Sequence, residues 1–226
     1  MGLNDFGAEK ISARPLEFIW ILDVSGSMAG SKIESLNFAI EEAIPEMKRI
    51  AAENVNAQVF VRAMTFGDYA KWHIAKRTPV EDFTWSKVST DGTTNMGAAL
   101  KKVAEALDEK SMPERGLPPV LVLVSDGMPT DSFEHGMNAL LSTRWGVKAV
   151  KIAIAIGDDA DYDVLKRFVN HVERPVLEAK NASDLVNFIR WASTQVLAAA
   201  SKAKDDNIQL APTNVSSIKT LNEDLW

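Results

Sequence analysis

The chain has 226 residues, a net charge of −6 and a pI near 5.2, with 46% hydrophobic and 25% charged residues. That length suits one sizeable α/β domain, and the acidic balance argues against a nucleic-acid partner, whose footprint would be a basic patch. The absence of cysteine excludes disulfides, thiolate zinc sites and cysteine nucleophiles. No apolar run approaches the roughly 20 residues a membrane helix needs. Residues 1–10 are polar and lack the pattern of a secretory signal. The expectation is a cytoplasmic protein with no membrane partner.

Leu16 to Asp23, LEFIWILD, is an apolar run ending on an acidic residue, the pattern of a strand buried on both faces. Ser31 and Glu34 form a predicted capping box. Ile33, Leu36, Ile40, Ala43, Ile44, Met47 and Ile50 follow at helical spacing, with Pro45 expected to kink the helix. Gln58 to Phe66 is a predicted strand. Gly67-Asp68 signals a hairpin, so Tyr69 to Ala75 should return antiparallel at an edge. After irregular residues Thr78 to Asp91, Asn95 to Leu107 is a predicted helix. Met112 to Pro119, with three prolines and a glycine, is a predicted loop. Val120 to Val124 is a second buried strand running into Asp126. Asp131 and Glu134 are expected to cap the next helix.

Val147 to Ile156 is a predicted strand, Val164 to Val172 a helix and Pro175 to Glu178 a short strand. Asn181 should cap a last helix with apolar face Leu185, Phe188, Ile189, Ala192, Val196 and Ala200. The alternation predicts an α/β fold: a doubly wound, mostly parallel sheet with one antiparallel edge strand and helices on both faces. Residues 1–15 read as an N-terminal extension, 16–204 as the domain, and 205–226 as an aperiodic tail.

In open α/β sheets ligands bind beyond the carboxyl ends of the strands. There the first strand gives Asp23-Val24-Ser25-Gly26-Ser27, the pattern D-x-S-x-S, and the later strand gives Ser125-Asp126-Gly127. Asp91-Gly92-Thr93-Thr94-Asn95 lies between them, just before a helix. Two carboxylates and several hydroxyls are hard oxygen donors suited to Mg²⁺ or Mn²⁺. Alternate residues of a turning segment point the same way, so Asp23, Ser25 and Ser27 can face one point. Few carboxylates and neutral hydroxyls leave such an ion electrophilic, with room for an acidic side chain from a partner. D-x-S-x-S alone is a modest signal, since a strand-to-helix turn with self-bonded side chains also produces it. Its context, a buried strand before and a helix after, gives it weight.

FIWILDVSGSM, DGTTNMGAAL and LVLVSDGMPTD resemble the three parts of the metal-ion-dependent adhesion site of von Willebrand factor A (VWA) domains, over residues of about 16 to 200. More narrowly, GTTNMGAAL, SDGMPTD and FIRWAS resemble the TerY-like VWA proteins of bacterial tellurium-resistance operons. The resemblance implies a Rossmann-like VWA fold and a metal site of Asp23, Ser25, Ser27, Thr94 and Asp126, holding Mg²⁺ (or Mn²⁺). Thr94 is preferred to Thr93 because the family pattern places its threonine three residues before Gly97. It further implies a non-enzymatic scaffold or adaptor in a stress response, with a Ser/Thr kinase and a PP2C-like phosphatase as partners. It also implies that the last helix, about 182–203, can shift when the metal ligands rearrange.

Other readings are weaker on the residues. A haloacid-dehalogenase-like phosphatase needs a second aspartate two residues after the first, and Ser25 stands there. A VWA cofactor of a MoxR- or chelatase-type AAA+ ATPase fits the same fold and is separable only by its partner. The acidic run Gly157 to Asp163 lacks the glycine and distal glutamate of an EF-hand and reads as a loop with a capping aspartate. There is no G-x-G-x-x-G for a dinucleotide. His73, His135 and His171 read as surface or helix-end residues, and Trp20 and Trp191 as core. Trp226 is a candidate apolar anchor on the tail.

Overall fold

The computed structural model describes residues 13–54, 56–108, 110–157, 160–196 and 198–199. The expected tail, the Trp226 anchor and the side chains of Val196 and Ala200 lie outside the described residues.

Six strands form one sheet in the order β3-β2-β1-β4-β5-β6. They are β1 Arg14–Asp23, β2 Ala57–Phe66, β3 Ala70–Pro79, β4 Val120–Ser125, β5 Val150–Ile156 and β6 Leu177–Ala179. Every neighbouring pair is parallel except β2–β3, the expected antiparallel hairpin at the edge. The helices are α1 Ser31–Glu53, α2 Met96–Ala106, α3 Phe133–Leu141, α4 Arg144–Lys148, α5 Tyr162–Val169 and α6 Ala182–Trp191. The fold class is thus the one the sequence predicts.

The strands alternate their side chains between two cores. Leu16, Phe18, Trp20 and Leu22 of β1 pack with Ile33, Leu36, Ile40 and Met47 of α1 and with Leu185, Phe188 and Ile189 of α6. Ile19 and Ile21 face the other way, toward Leu100 and Val103 of α2, Met137 and Leu140 of α3, and Leu165 and Phe168 of α5. Each fully buried Leu, Ile or Phe side chain stabilises the fold by about 1.5–3 kcal/mol, so these two layers fix β1 and β4 firmly side by side. Connections leave β1 and β4 toward opposite sides of the sheet, and the crevice between their carboxyl ends is the topological switch point. Leu22 pairs with Val124 in register there, which brings Asp23 and Ser125 together at the exit.

Several boundaries differ from expectation, each for a local reason. The capping box fails: α1 begins at Ser31 itself, Gly30 is its N-cap at φ 76°, and no side chain caps it. The chain enters through a 3-10 turn, Gly26–Met28, and the left-handed step at position 30 falls to glycine. α1 continues through Pro45, at the loss of one backbone donor. Val147 and Lys148, expected to open a strand, instead close α4, because Thr143 Oγ1 accepts the Gly146 N–H as a helix cap and Trp145 is buried. α5 starts earlier than expected, capped by Asp161, and ends at Asn170 with φ 47°. Asn181 caps α6 as predicted.

Candidate metal centre

All five candidate residues lie at the β1/β4 crevice. Asp23 ends β1 and is fully buried. Its Oδ1 accepts the Ser25 backbone N–H at 2.8 Å and its Oδ2 accepts the Ser125 hydroxyl at 2.5 Å. Ser25 and Ser27 lie side by side, their Oγ atoms 3.0 Å apart. Ser27 Oγ donates to Asp126 Oδ1 at 2.7 Å. Thus the residues of D-x-S-x-S reach the second strand-end aspartate through a continuous run of hydrogen bonds.

Thr94 completes the group. It is buried, whereas Thr93 is exposed and uses its backbone N–H on Asp68. A Cβ on Gly127 would lie 3.6 Å from both Ser27 Oγ and Thr94 Oγ1, so the two hydroxyls flank the same point. Among the described residues no hydrogen bond engages the Thr94 hydroxyl; its backbone N–H donates to Thr130 Oγ1, and its carbonyl accepts the Thr130 and Met96 N–H groups.

The loops are tied together tightly. Asp91 N–H donates to Val24 O, and Gly26 N–H donates to Gly92 O. Asp131 was expected to cap the helix that follows it. Instead its carboxylate accepts the Gly97 and Ala98 N–H groups at 2.8 and 2.7 Å, capping α2, while Ser132 caps α3. The cause is close packing: a Cβ on Gly97 would lie 2.2 Å from Ser132 O, so the two helix starts touch and Asp131 reaches the neighbouring one. Asp131 and Thr130 therefore clamp the Thr94 loop to the Asp126 loop.

Sequence reasoning missed Lys32. Its Nζ lies 2.5 Å from Asp126 Oδ2, an ion pair in which the carboxylate is buried and the lysine one-third exposed. Only the three-dimensional turn at Gly30 reveals this contact. It also missed Ser125, whose signal was its place beside Asp126 at a strand end. His135 is exposed, as the sequence reading had it.

Burial raises the Asp23 carboxyl above its ordinary value. Hydrogen bonds from Ser125 and Ser25 pull it down, and the Asp126 charge pushes it up again. Two carboxylates repel each other here, and among the described residues one ammonium, on Asp126, stands against the two charges, so the site is short of cation. Among the described residues, no group of three or more His, Cys, Asp or Glu side chains could hold a metal. The donors of this site are instead two carboxylates and three hydroxyls, an all-oxygen set. That set, the unengaged Thr94 hydroxyl and the cation drawn onto Asp126 all fit a hard divalent ion.

Known proteins bear on this geometry. The chain is 27% identical over 210 residues to inter-alpha-trypsin inhibitor heavy chain H2 of Mesocricetus auratus, covering 85% of this chain and 21% of that one. It is 26% identical over 184 residues to heavy chain H3 of Homo sapiens, covering 74% and 19%. The chain therefore spans about a fifth of the length of these relatives. Among solved structures it is similar to the pilus adhesin SpaC from Lactobacillus rhamnosus GG, with a TM-score of 0.64 at 12% identity, covering 83% of this chain and 31% of that one. Proximal thread matrix protein 1 from the mussel byssus, solved with a zinc-occupied MIDAS motif, matches with a TM-score of 0.58 at 14% identity over 83% of this chain and 47% of that one. With the model of the von Willebrand factor type A domain matching residues 18–191, on the fold and loop geometry described above, the chain belongs to that family.

Proposed function

We propose that this chain is a non-enzymatic, metal-dependent protein-binding module that takes Mg²⁺ (or Mn²⁺) at Asp23, Ser25, Ser27, Thr94 and Asp126. The observation that carries this is the convergence of two buried carboxylates and three hydroxyls at the topological switch point. When bound, the ion supplies an electrophilic position that an acidic side chain of a partner can fill. The chain's own residues do the rest. Asp23 and Asp126 bring two carboxylates to the crevice, against which the described residues set one ammonium, that of Lys32 on Asp126. Ser125 and the Ser25 N–H orient Asp23, and Ser27 orients Asp126. Thr130 and Asp131 hold the Thr94 loop in place. The von Willebrand factor type A family is one of metal-dependent interaction modules, and the zinc in the mussel protein's motif is in keeping with a divalent ion here.

Nothing at the site resembles a nucleophile with its base. Ser25 and Ser27 hydrogen-bond to each other and to a carboxylate, and His135 is exposed. Exposed Tyr69, at the β2–β3 hairpin, and Met128, two residues beyond Asp126, stand on the same edge and offer apolar contact around an acidic anchor. No helix among the described residues is long and apolar enough to cross a membrane. For the partner we propose a Ser/Thr kinase and a PP2C-like phosphatase in a tellurium-resistance-like stress system, on the resemblance of GTTNMGAAL, SDGMPTD and FIRWAS. Cytoplasmic localisation belongs to the same proposal.

Affinity capture from cells tests it, comparing wild type, Asp23→Ala and wild type in EDTA. A kinase or phosphatase lost under both treatments supports metal-mediated scaffolding. The same proteins retained under both would show that the metal site is not the contact. An AAA+ ATPase captured in their place would correct the partner.

A further inference from the structure

Lys32 occupies a position that its own helix disfavours. It is the second residue of α1, where the positive end of the helix dipole raises the energy of an ammonium. Its side chain, about one-third exposed, reaches to the crevice. Cε and Nζ pass 3.7 Å from the point where Gly157 would carry a Cβ, at the end of β5. The ammonium then meets Asp126 Oδ2, while Ser27 takes Oδ1. Asp126 is thereby fully engaged by a cation and a donor, and Asp23, fully buried beside it, has no cation among the described residues.

We propose that Lys32 is a tethered counter-ion that sets both the metal affinity and the net charge of the site, and this rests on the metal-binding reading above. Two carboxylates and one ammonium leave the metal-free site with one surplus negative charge. A divalent ion must compete with the ammonium for Asp126, or bind beside it against its repulsion, and either way Lys32 weakens metal binding. Once the ion is bound, the same ammonium leaves the site with one surplus positive charge. An acidic side chain cancels that charge. Without Lys32 the loaded site would be neutral, holding its ion more tightly and attracting a carboxylate less. Lys32 thus makes metal binding weaker and acidic-partner binding stronger, coupling the two.

The test is Mn²⁺ titration of the full chain, followed by the electron paramagnetic resonance signal of free Mn²⁺, with melting in EDTA measured alongside. Lys32→Met should bind Mn²⁺ at least about tenfold more tightly than wild type. Lys32→Gln, which keeps a polar contact to Asp126, should shift the same way, and Lys32→Arg should stay near wild type because the charge remains. In EDTA, Lys32→Met should melt below wild type, since the carboxylates lose their counter-ion. A lysine that only packed the start of α1 would lower melting and leave Mn²⁺ affinity unchanged, and that result overturns the proposal. Wild type binding Mn²⁺ while Lys32→Met and Lys32→Gln stay within twofold of it overturns the counter-ion role alone. Wild type showing no saturable Mn²⁺ binding overturns both this role and the metal-site reading beneath it.

Discussion

β1 carries two buried carboxylates, Glu17 and Asp23, on the same side of the strand, and the protein treats them in opposite ways. Glu17 meets two arginines, Arg62 of the adjoining β2 and Arg77 of β3 beyond it. Arg62 lies 3.4 Å from Oε2 and Arg77 contacts Oε1. Both guanidinium groups also sit over rings, Arg62 over Trp72 and Arg77 over Phe60. Burial pushes the Arg62 group below its ordinary value, and the Glu17 charge pushes it back up. Asp23, at the carboxyl end of the same strand, receives hydrogen bonds from Ser125 and Ser25 and, among the described residues, no cation. A buried charge closed off by the chain's own counter-charges is part of the scaffold. A buried charge left short of cation, at the edge where ligands bind, is a place for an ion from outside.

The contrast can be broken most forcefully at Glu17. Glu17→Ala leaves the largely buried Arg62 without its counter-charge, while the more exposed Arg77 can turn to solvent, and should cost about 3 kcal/mol, read by urea denaturation, with or without Mg²⁺. Asp23→Asn should act with the opposite sign and more weakly. The raised Asp23 carboxyl means that the folded chain holds this proton more firmly than the unfolded chain does. Metal-free stability therefore falls as pH rises from the ordinary 3.8 through the raised value, and stays lowered above it. Asp23→Asn in EDTA should melt above wild type at pH 7 and lose that slope. A lower melting temperature would mean that the charge is compensated after all. The smallest effect is expected at Asp131, which caps α2 at no cost in buried charge. Asp131→Ala should cost about 1–2 kcal/mol, measured by denaturation. It should also loosen Thr94, so a variant with unchanged metal affinity would limit Asp131 to a cap.

How much of this was legible in the sequence follows from what each signal depends on. Buried parallel strands are continuous apolar runs, so LEFIWILD and VLVLV read directly, and Asp23 and Asp126 stood out as the polar residues that end them. Thr94 depended on the family pattern, and its burial beside Ser27, against exposed Thr93, gives that choice a structural basis. Short or crowded elements did not read. α4 is five residues long and rests on a Thr143 cap, and its last residues, Val147 and Lys148, run straight into the apolar β5 and read as part of that strand. Asp131 has the right local spacing for its own helix, and only the contact between Gly97 and Ser132 turns it to another. Lys32 carries no local signal at all, because its partner is 94 residues away across the crevice.

The carboxylates of the β1/β4 crevice, two against one ammonium, are proposed to form a divalent-cation site. Calorimetric titration of Mg²⁺ into the purified full chain, beside Asp23→Ala and Thr94→Ala, tests it most directly. One saturable site in wild type, abolished by Asp23→Ala and weakened by Thr94→Ala, is the predicted result. Equal binding by wild type and Asp23→Ala, or no binding by either, would contradict it.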